Sequence, residues 1–277
     1  MRLIFFGTPD YVLPVLDILN KYHEVVAVVT QPPKPVGREK IIEYSSVDKW
    51  AFKKKIDRFF DFTDLPEADL GICAAFGMII PKEILNHFKF GILNIHPSIL
   101  PKYRGASPIQ SAISNLDTET GVTIIKMDEK MDHGPIVSSF KCDILPTDTF
   151  ETLRIRLFEQ ASEFLINLIP NYSKNKINLK PQDHDKATFC KIVSKQDGFV
   201  NLEKDNPQVI EAKLRAYFPW PGVWTLLRQD SSGQAKRLKI LKCHLENNEL
   251  VLDEVQLEGK NPVSWKQFKS AYPESRF

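Results

Sequence analysis

Two short segments concentrate the reactive side chains of this chain. Asn94-Ile95-His96-Pro97-Ser98-Ile99-Leu100-Pro101 follows the apolar run Gly91-Ile92-Leu93, so an amide and an imidazole leave the same face of a strand end. Met131-Asp132-His133-Gly134 adds a carboxylate from a later loop. A hydrogen-bond donor, an acid/base group and a carboxylate to orient it are the minimal set for moving an acyl group between nitrogens. Each residue alone reads more simply: a histidine at a strand end is usually satisfied by its surroundings, and a loop Asn or Asp usually forms a turn.

The elements that must position them follow from the apolar pattern. Residues 3–6 read as a buried strand ending at Gly7-Thr8-Pro9, with Thr8 as helix N-cap and Pro9 as first helical residue. The helix that follows turns Val12, Val15, Leu16 and Leu19 inward, and Pro14 implies a kink or a late start. Residues 24–30 form a valine-rich strand of the kind covered on both faces, so strand, helix and strand open a doubly wound sheet. A further strand over 69–75 runs into Phe76-Gly77-Met78-Ile79-Ile80, whose apolar side chains either cap the core or wall a flat aromatic ligand. Strands over 121–127 and 135–141 flank the Asp132 loop, and a long helix capped by Asp148 is stopped by Pro170. Residues 171–186 are polar, lysine-rich and without periodicity, as a linker would be, and short strands beyond 190 suit a small β-barrel.

Composition narrows the classes. At 277 residues and 43% apolar, the chain is long enough for an α/β domain and a smaller one. No apolar run reaches a membrane span, and the N-terminus enters a strand without a signal-peptide pattern, so the expected compartment is the cytosol. Cys73, Cys142, Cys190 and Cys243 show no metal-binding or disulfide spacing, and no metal is expected. The net charge of +2 hides an asymmetry: residues 171–277 hold 18 Lys and Arg against 13 Asp and Glu, a weak sign of a polyanionic partner. Gly7-Thr8-Pro9-Asp10 lacks the spacing of a dinucleotide fingerprint. The proline-stiffened segment Gln31-Pro32-Pro33-Lys34-Pro35-Val36-Gly37-Arg38-Glu39-Lys40 leaves the carboxyl end of a strand, where open sheets place ligands; it is either a surface linker or a cationic contact.

Over most of its length the chain resembles the 10-formyltetrahydrofolate-dependent formyltransferases, and among them those acting on initiator methionyl-tRNA. The resemblance rests on Phe6-Gly7-Thr8-Pro9-Asp10, the loop from Gln31 to Arg38, Asn94 to Pro101, Arg104-Gly105-Ala106-Ser107-Pro108-Ile109-Gln110, Glu119-Thr120-Gly121-Val122-Thr123 and Met131-Asp132-His133-Gly134. In the second half it rests on Ala187-Thr188, Lys191-Ile192, Asp197-Gly198 and Arg215-Ala216-Tyr217. It implies a Rossmann-like catalytic domain over 1–170, a linker over 171–190 and an OB-like β-barrel over 191–277 that binds tRNA. It further implies Asn94, His96 and Asp132 as catalytic residues, with Ser98, Ile99, Leu100, Pro101, Phe76, Met78 and Ile80 along the folate. Lys34, Arg38 and Lys40 would contact tRNA, and the enzyme would act as a cytosolic monomer. The segment over 45–69 is shorter than is usual in the family, the C-terminal domain is compact, and His133 stands where a threonine more often follows the aspartate. A formyltransferase acting on amino-sugar nucleotides is the alternative, distinguished by whether the second half binds RNA; an RNA-binding module without catalysis is disfavoured by the complete trio.

Overall fold

Strands that are apolar without alternation become the middle of a sheet covered on both faces. The computed structural model describes residues 1–37, 39–227 and 235–273. Its strands up to the long helix are β1 (Arg2–Gly7), β2 (Glu24–Val29), β3 (Lys34–Val36), β4 (Ile41–Glu43), β5 (Asp57–Phe59), β6 (Leu70–Ala74), β7 (Ile92–His96), the two-residue β8 (Arg104–Gly105), β9 (Glu119–Lys126) and β10 (Ile136–Asp143). Seven of them form one sheet in the order β10-β9-β7-β6-β1-β2-β5. The β5, β2, β1, β6 and β7 strands run parallel, and β9 is antiparallel to β7. This is the Rossmann-like doubly wound sheet expected from the sequence. β3 and β4 pair as a separate antiparallel hairpin, Lys34 opposite Glu43.

The helices of this region are α1 (Leu13–Tyr22), α2 (Ser46–Lys54), α3 (Lys82–Leu85), α4 (Pro108–Ser114) and α5 (Phe150–Ser173). Pro14 imposes the late start: a 3-10 turn over Asp10–Val12 precedes α1, and Pro14 falls in its first turn, where no intrahelical N–H is needed. Thr8 does not cap that helix; its hydroxyl donates to the Phe76 carbonyl at 2.9 Å. Thr149 occupies the capping place expected of Asp148, its hydroxyl accepting from Thr152 N–H at 3.2 Å. Nor does Pro170 stop α5. A proline removes only its own N–H from the ladder, and the last turn continues to Ser173. There the Tyr172 hydroxyl donates to the Phe90 carbonyl at 2.9 Å.

Phe6, Phe62, Phe76 and Phe88 meet edge-on or tilted in the core that includes Ile4, Val29, Ile80 and Ile92. The segment over 45–69 holds α2 and the edge strand β5, and Ser45 caps α2 by accepting from Asp48 N–H.

The chain folds as two compact units. The first comprises Met1–Gly105, Thr120–Cys142 and Arg154–Phe189; the second takes Ala106–Glu119, Asp143–Leu153 and the chain from Cys190 on. Residues 171–189, linker-like in sequence, therefore lie inside the first unit. The later elements are β11 (Phe189–Cys190), α6 (Pro207–Tyr217), β12 (Val223–Leu227), β13 (Lys236–Glu246), β14 (Glu249–Leu257), β15 (Val263–Ser264) and α7 (Trp265–Ala271). The β-rich second domain is built on an antiparallel sheet of four strands in the order β12-β13-β14-β15. Its core joins Ile210 of α6 and Phe268 of α7 to Leu238, Ile240 and Val255. Among the described residues no helix is long and apolar enough to cross a membrane.

Gly121 tests the packing of β9 on β10. A Cβ there would run into the Phe140 carbonyl and the Ile99 side chain. Gly121→Ala is expected to cost about 1–3 kcal/mol of stability. Urea unfolding measures it, and an unchanged midpoint would contradict this close approach.

Candidate active site

The β7 strand ends where the reactive groups begin. Its alternation sends Asn94 and His96 to one face, and the loop between β9 and β10 brings Asp132 to meet them. Asn94 Nδ2 donates to Asp132 Oδ1 at 3.2 Å, and His96 Nδ1 lies 3.4 Å from the same oxygen. The Gly105 backbone N–H donates to Asp132 Oδ2 at 2.8 Å. Asp132 itself is in the left-handed region at φ +47°, which aspartate tolerates better than most residues. The three residues placed together on chemical grounds thus converge on one carboxylate.

The imidazole is oriented by a group the sequence did not single out. His96 Nε2 lies 2.9 Å from the Tyr103 carbonyl, an acceptor only, so Nε2 carries the proton and neutral His96 presents a lone pair at Nδ1. Burial holds the His96 pKa below its ordinary 6.5; the Asp132 charge and the Tyr103 carbonyl oppose that shift, and Arg104 reinforces it. The neutral ring is therefore the resting form at neutral pH. Cys73, opposite Asn94 in the β6–β7 register, has its thiol pushed up to about 12, first by burial and then by Asp132, which rules it out as a nucleophile at neutral pH.

The remaining expected site residues fall into two groups. Ser98 is buried and its hydroxyl donates to the Lys102 carbonyl at 2.6 Å; the Leu100 N–H donates to Thr123 Oγ1, and Ile99 and Pro101 are half-buried. Phe76 and Ile80 belong to the core and Met78 packs against it, while Ile79 is the solvent-facing member of that turn. Of the two readings open for this turn, the burial of the Phe76 and Ile80 side chains fits core capping, and the Ile79 side chain is left exposed. Gln31 fixes it: Nε2 donates to the carbonyls of Phe76 and Gly77, both at 3.2 Å, and Oε1 accepts from Lys34 Nζ at 2.7 Å. Lys34 and Lys40 are exposed on and beside the β3–β4 hairpin, and Arg38 lies outside the described residues.

A cavity of about 470 Å³ opens beside the Asp132 loop, lined among others by Leu85, Phe88, Met127, Asp128 and His133. His133 turns from His96 toward Asp128, its Nδ1 2.7 Å from Asp128 Oδ2, and its ring stacks at 4.0 Å on His184. The most consequential residue missed in the sequence is Gln182. Its Nε2 donates to the carbonyls of Asp132 and Gly134 at 2.9 and 2.7 Å, from a stretch whose composition marks only a linker.

Known proteins resemble this chain over most of its length. Residues 1–169 match the family "Formyl transferase", and residues 192–250 match "Formyl transferase, C-terminal domain". The chain is 41% identical to the methionyl-tRNA formyltransferase of Buchnera aphidicola over 83% of this chain and 76% of that protein. It is 34% identical to that of Dictyoglomus turgidum, over 98% and 96% of the two chains. The fold is shared with the methionyl-tRNA formyltransferase of Clostridium thermocellum (TM-score 0.59, 18% identity, 93% of this chain and 98% of that one). It is shared also with an N-formyltransferase from Helicobacter canadensis solved with folinic acid and dTDP-3-aminofucose (TM-score 0.69, 19% identity, 95% and 98%).

Titration of His96 by NMR checks the electrostatics directly. Its midpoint is expected below 6.5, so that the ring is neutral above the midpoint and charges only as pH falls through it. Asp132→Asn removes the charge that favours the imidazolium and should lower the midpoint further. A midpoint above 6.5, or a rise in Asp132→Asn, would contradict this arrangement.

Proposed function

Because this chain belongs to the formyl transferase family, we propose that it transfers the formyl group of 10-formyltetrahydrofolate to the α-amine of methionine carried on initiator tRNA. The observation that carries this reading is the convergence of Asn94, His96 and Asp132 at the carboxyl end of β7, the edge where open α/β sheets bind ligands. Relatives named methionyl-tRNA formyltransferase, 41% and 34% identical, support a tRNA acceptor over an amino-sugar nucleotide, because the sugar formyltransferases are only 19% and 21% identical.

The folate, when bound, supplies a formyl carbon already activated by attachment to nitrogen. The donor is proposed to lie beside the Asp132 loop, where Asp132 faces Asn94 and His96. The segment over 98–101 and the turn over 76–80 are proposed to border it through backbone groups and Ile79.

His96 is poised to accept the proton lost by the attacking amine, because Nε2–H is committed to Tyr103 and the Nδ1 lone pair is not. Asp132 then faces an imidazolium at 3.4 Å and stabilises it. Asn94 has two amide hydrogens; one goes to Asp132, and the other is available to the oxygen that becomes negative as the amine adds to the formyl carbon. Such a donor is worth about 2.7–4 kcal/mol in comparable acyl transfers. The imidazolium finally returns its proton to the leaving folate nitrogen, so the proton balance closes on His96. Action as a monomer at a cytosolic location belongs to the same proposal.

Lys34, Arg38 and Lys40 are proposed to meet the phosphates of the acceptor stem, and lysines of the second unit the backbone beyond it. Assay with charged initiator tRNA and 10-formyltetrahydrofolate should yield formylmethionyl-tRNA, with no transfer to amino-sugar nucleotides; the opposite pattern would refute the reading. In the same assay His96→Ala should lower kcat by roughly 10²–10⁴-fold while the donor still binds. Arg38→Ala should raise KM for charged tRNA well above any change in KM for the donor, and equal changes would remove the loop from the tRNA footprint.

A further inference from the structure

Asp132 is held from two directions, and one side chain governs both. Its carboxylate takes a hydrogen bond from Gly105 N–H, and Gly105 follows Arg104 in the chain. Arg104 is buried at 4% exposure, so its guanidinium must find acceptors inside the protein. Gln182 Oε1 accepts from Arg104 Nε at 3.1 Å and Nη2 at 2.6 Å, and His184 Nδ1 accepts from Nη2 at 2.8 Å. The other end of the same carboxamide holds the opposite partner, donating to the Asp132 and Gly134 carbonyls. Gln182 is itself 5% exposed. One group thus ties the loop that carries the carboxylate to the segment that supplies its backbone donor.

We propose that Gln182 is a positioning residue for formyl transfer, setting Asp132 against Asn94 and His96 by clamping the Asp132–Gly134 backbone to the Arg104–Gly105 segment. The residue type follows from the chemistry. A glutamate would pair with Arg104 but has no hydrogens for the two carbonyls, and a lysine would serve the carbonyls but repel Arg104. A carboxamide accepts at one end and donates two hydrogens at the other, one for each carbonyl. Thr188 reinforces the same side, its hydroxyl accepting from Tyr103 N–H at 2.8 Å and its carbonyl from Arg104 N–H at 2.8 Å. The segment with linker composition thereby also steadies Tyr103, whose carbonyl orients His96.

This inference rests on the proposed formyl transfer, and the test separates the two. Gln182→Glu keeps the acceptor for Arg104 and loses the tie to the Asp132 loop; Gln182→Leu loses both. Formylation of methionyl-tRNA is measured for each and for the wild type, with kcat referred to folded enzyme by thermal melting. Both variants are expected to lose about tenfold or more in kcat, with KM for tRNA and for the folate donor within about threefold of wild type. Should Gln182→Leu fail to fold, Gln182→Glu alone decides. A kcat for Gln182→Glu within about threefold of wild type, or a lowered melting temperature with kcat per folded enzyme unchanged, would overturn the positioning role and leave the proposed function standing. A wild-type enzyme that formylates nothing would remove the proposed function and this role with it.

Discussion

A carboxylate only 12% exposed has to be met by donors that replace the water it gives up. Asp132 receives Asn94 Nδ2–H on one oxygen and Gly105 N–H on the other, and the rest of the site is arranged around keeping those two bonds. The β7 strand fixes the first, through the register that sets Asn94 beside Cys73 of β6 and Ile125 of β9. The chain around Arg104 fixes the second. The loop carrying Asp132 accepts a left-handed backbone at that residue, and such a conformation persists only when its surroundings over-determine it.

From that carboxylate the electrostatics of the pair follow. Burial alone would make the imidazolium of His96 very unfavourable, and Asp132 at 3.4 Å partly offsets it. The ring is left neutral at rest, and in the proposed reaction it is the group that takes a proton from the amine. The commitment of Nε2–H to the Tyr103 carbonyl decides which nitrogen does this. Two glutamines play parallel mechanical parts, Gln31 under the turn over 76–77 and Gln182 under the Asp132 loop. Each fixes a pair of backbone carbonyls, Gln31 those of Phe76 and Gly77 and Gln182 those of Asp132 and Gly134.

Much of this was legible in the residues. The uninterrupted apolar strands announced a parallel sheet, and the two-residue spacing of Asn94 and His96 announced a shared face, because both signals are periodic. That Asp132 reaches them came from resemblance, since no local pattern reports a contact between residues 38 positions apart. Pro170 and Asp148 misled for the same reason: each has a strong average tendency that the surrounding helix geometry overrides. Tyr103 and Gly105 act through backbone atoms, which any residue type supplies, so their roles carry no compositional mark. Gln182 was hidden by its neighbours. A lone buried amide in a polar, lysine-rich stretch is indistinguishable from a solvated one until the fold shows Arg104 and two carbonyls around it. The second domain was read as a small β-barrel of the OB type, and its described strands form an antiparallel sheet of four in series.

If Asn94, His96 and Asp132 work as one unit around a shared carboxylate, their contributions to the chemical step cannot be independent. A double-mutant cycle in kcat for formyl transfer, with Asn94→Ala, Asp132→Asn and the pair, measures this directly. The double variant is expected to be slower than the worse single variant by no more than about threefold. A double variant whose loss equals the product of the two single losses would contradict a shared carboxylate as the centre of the site.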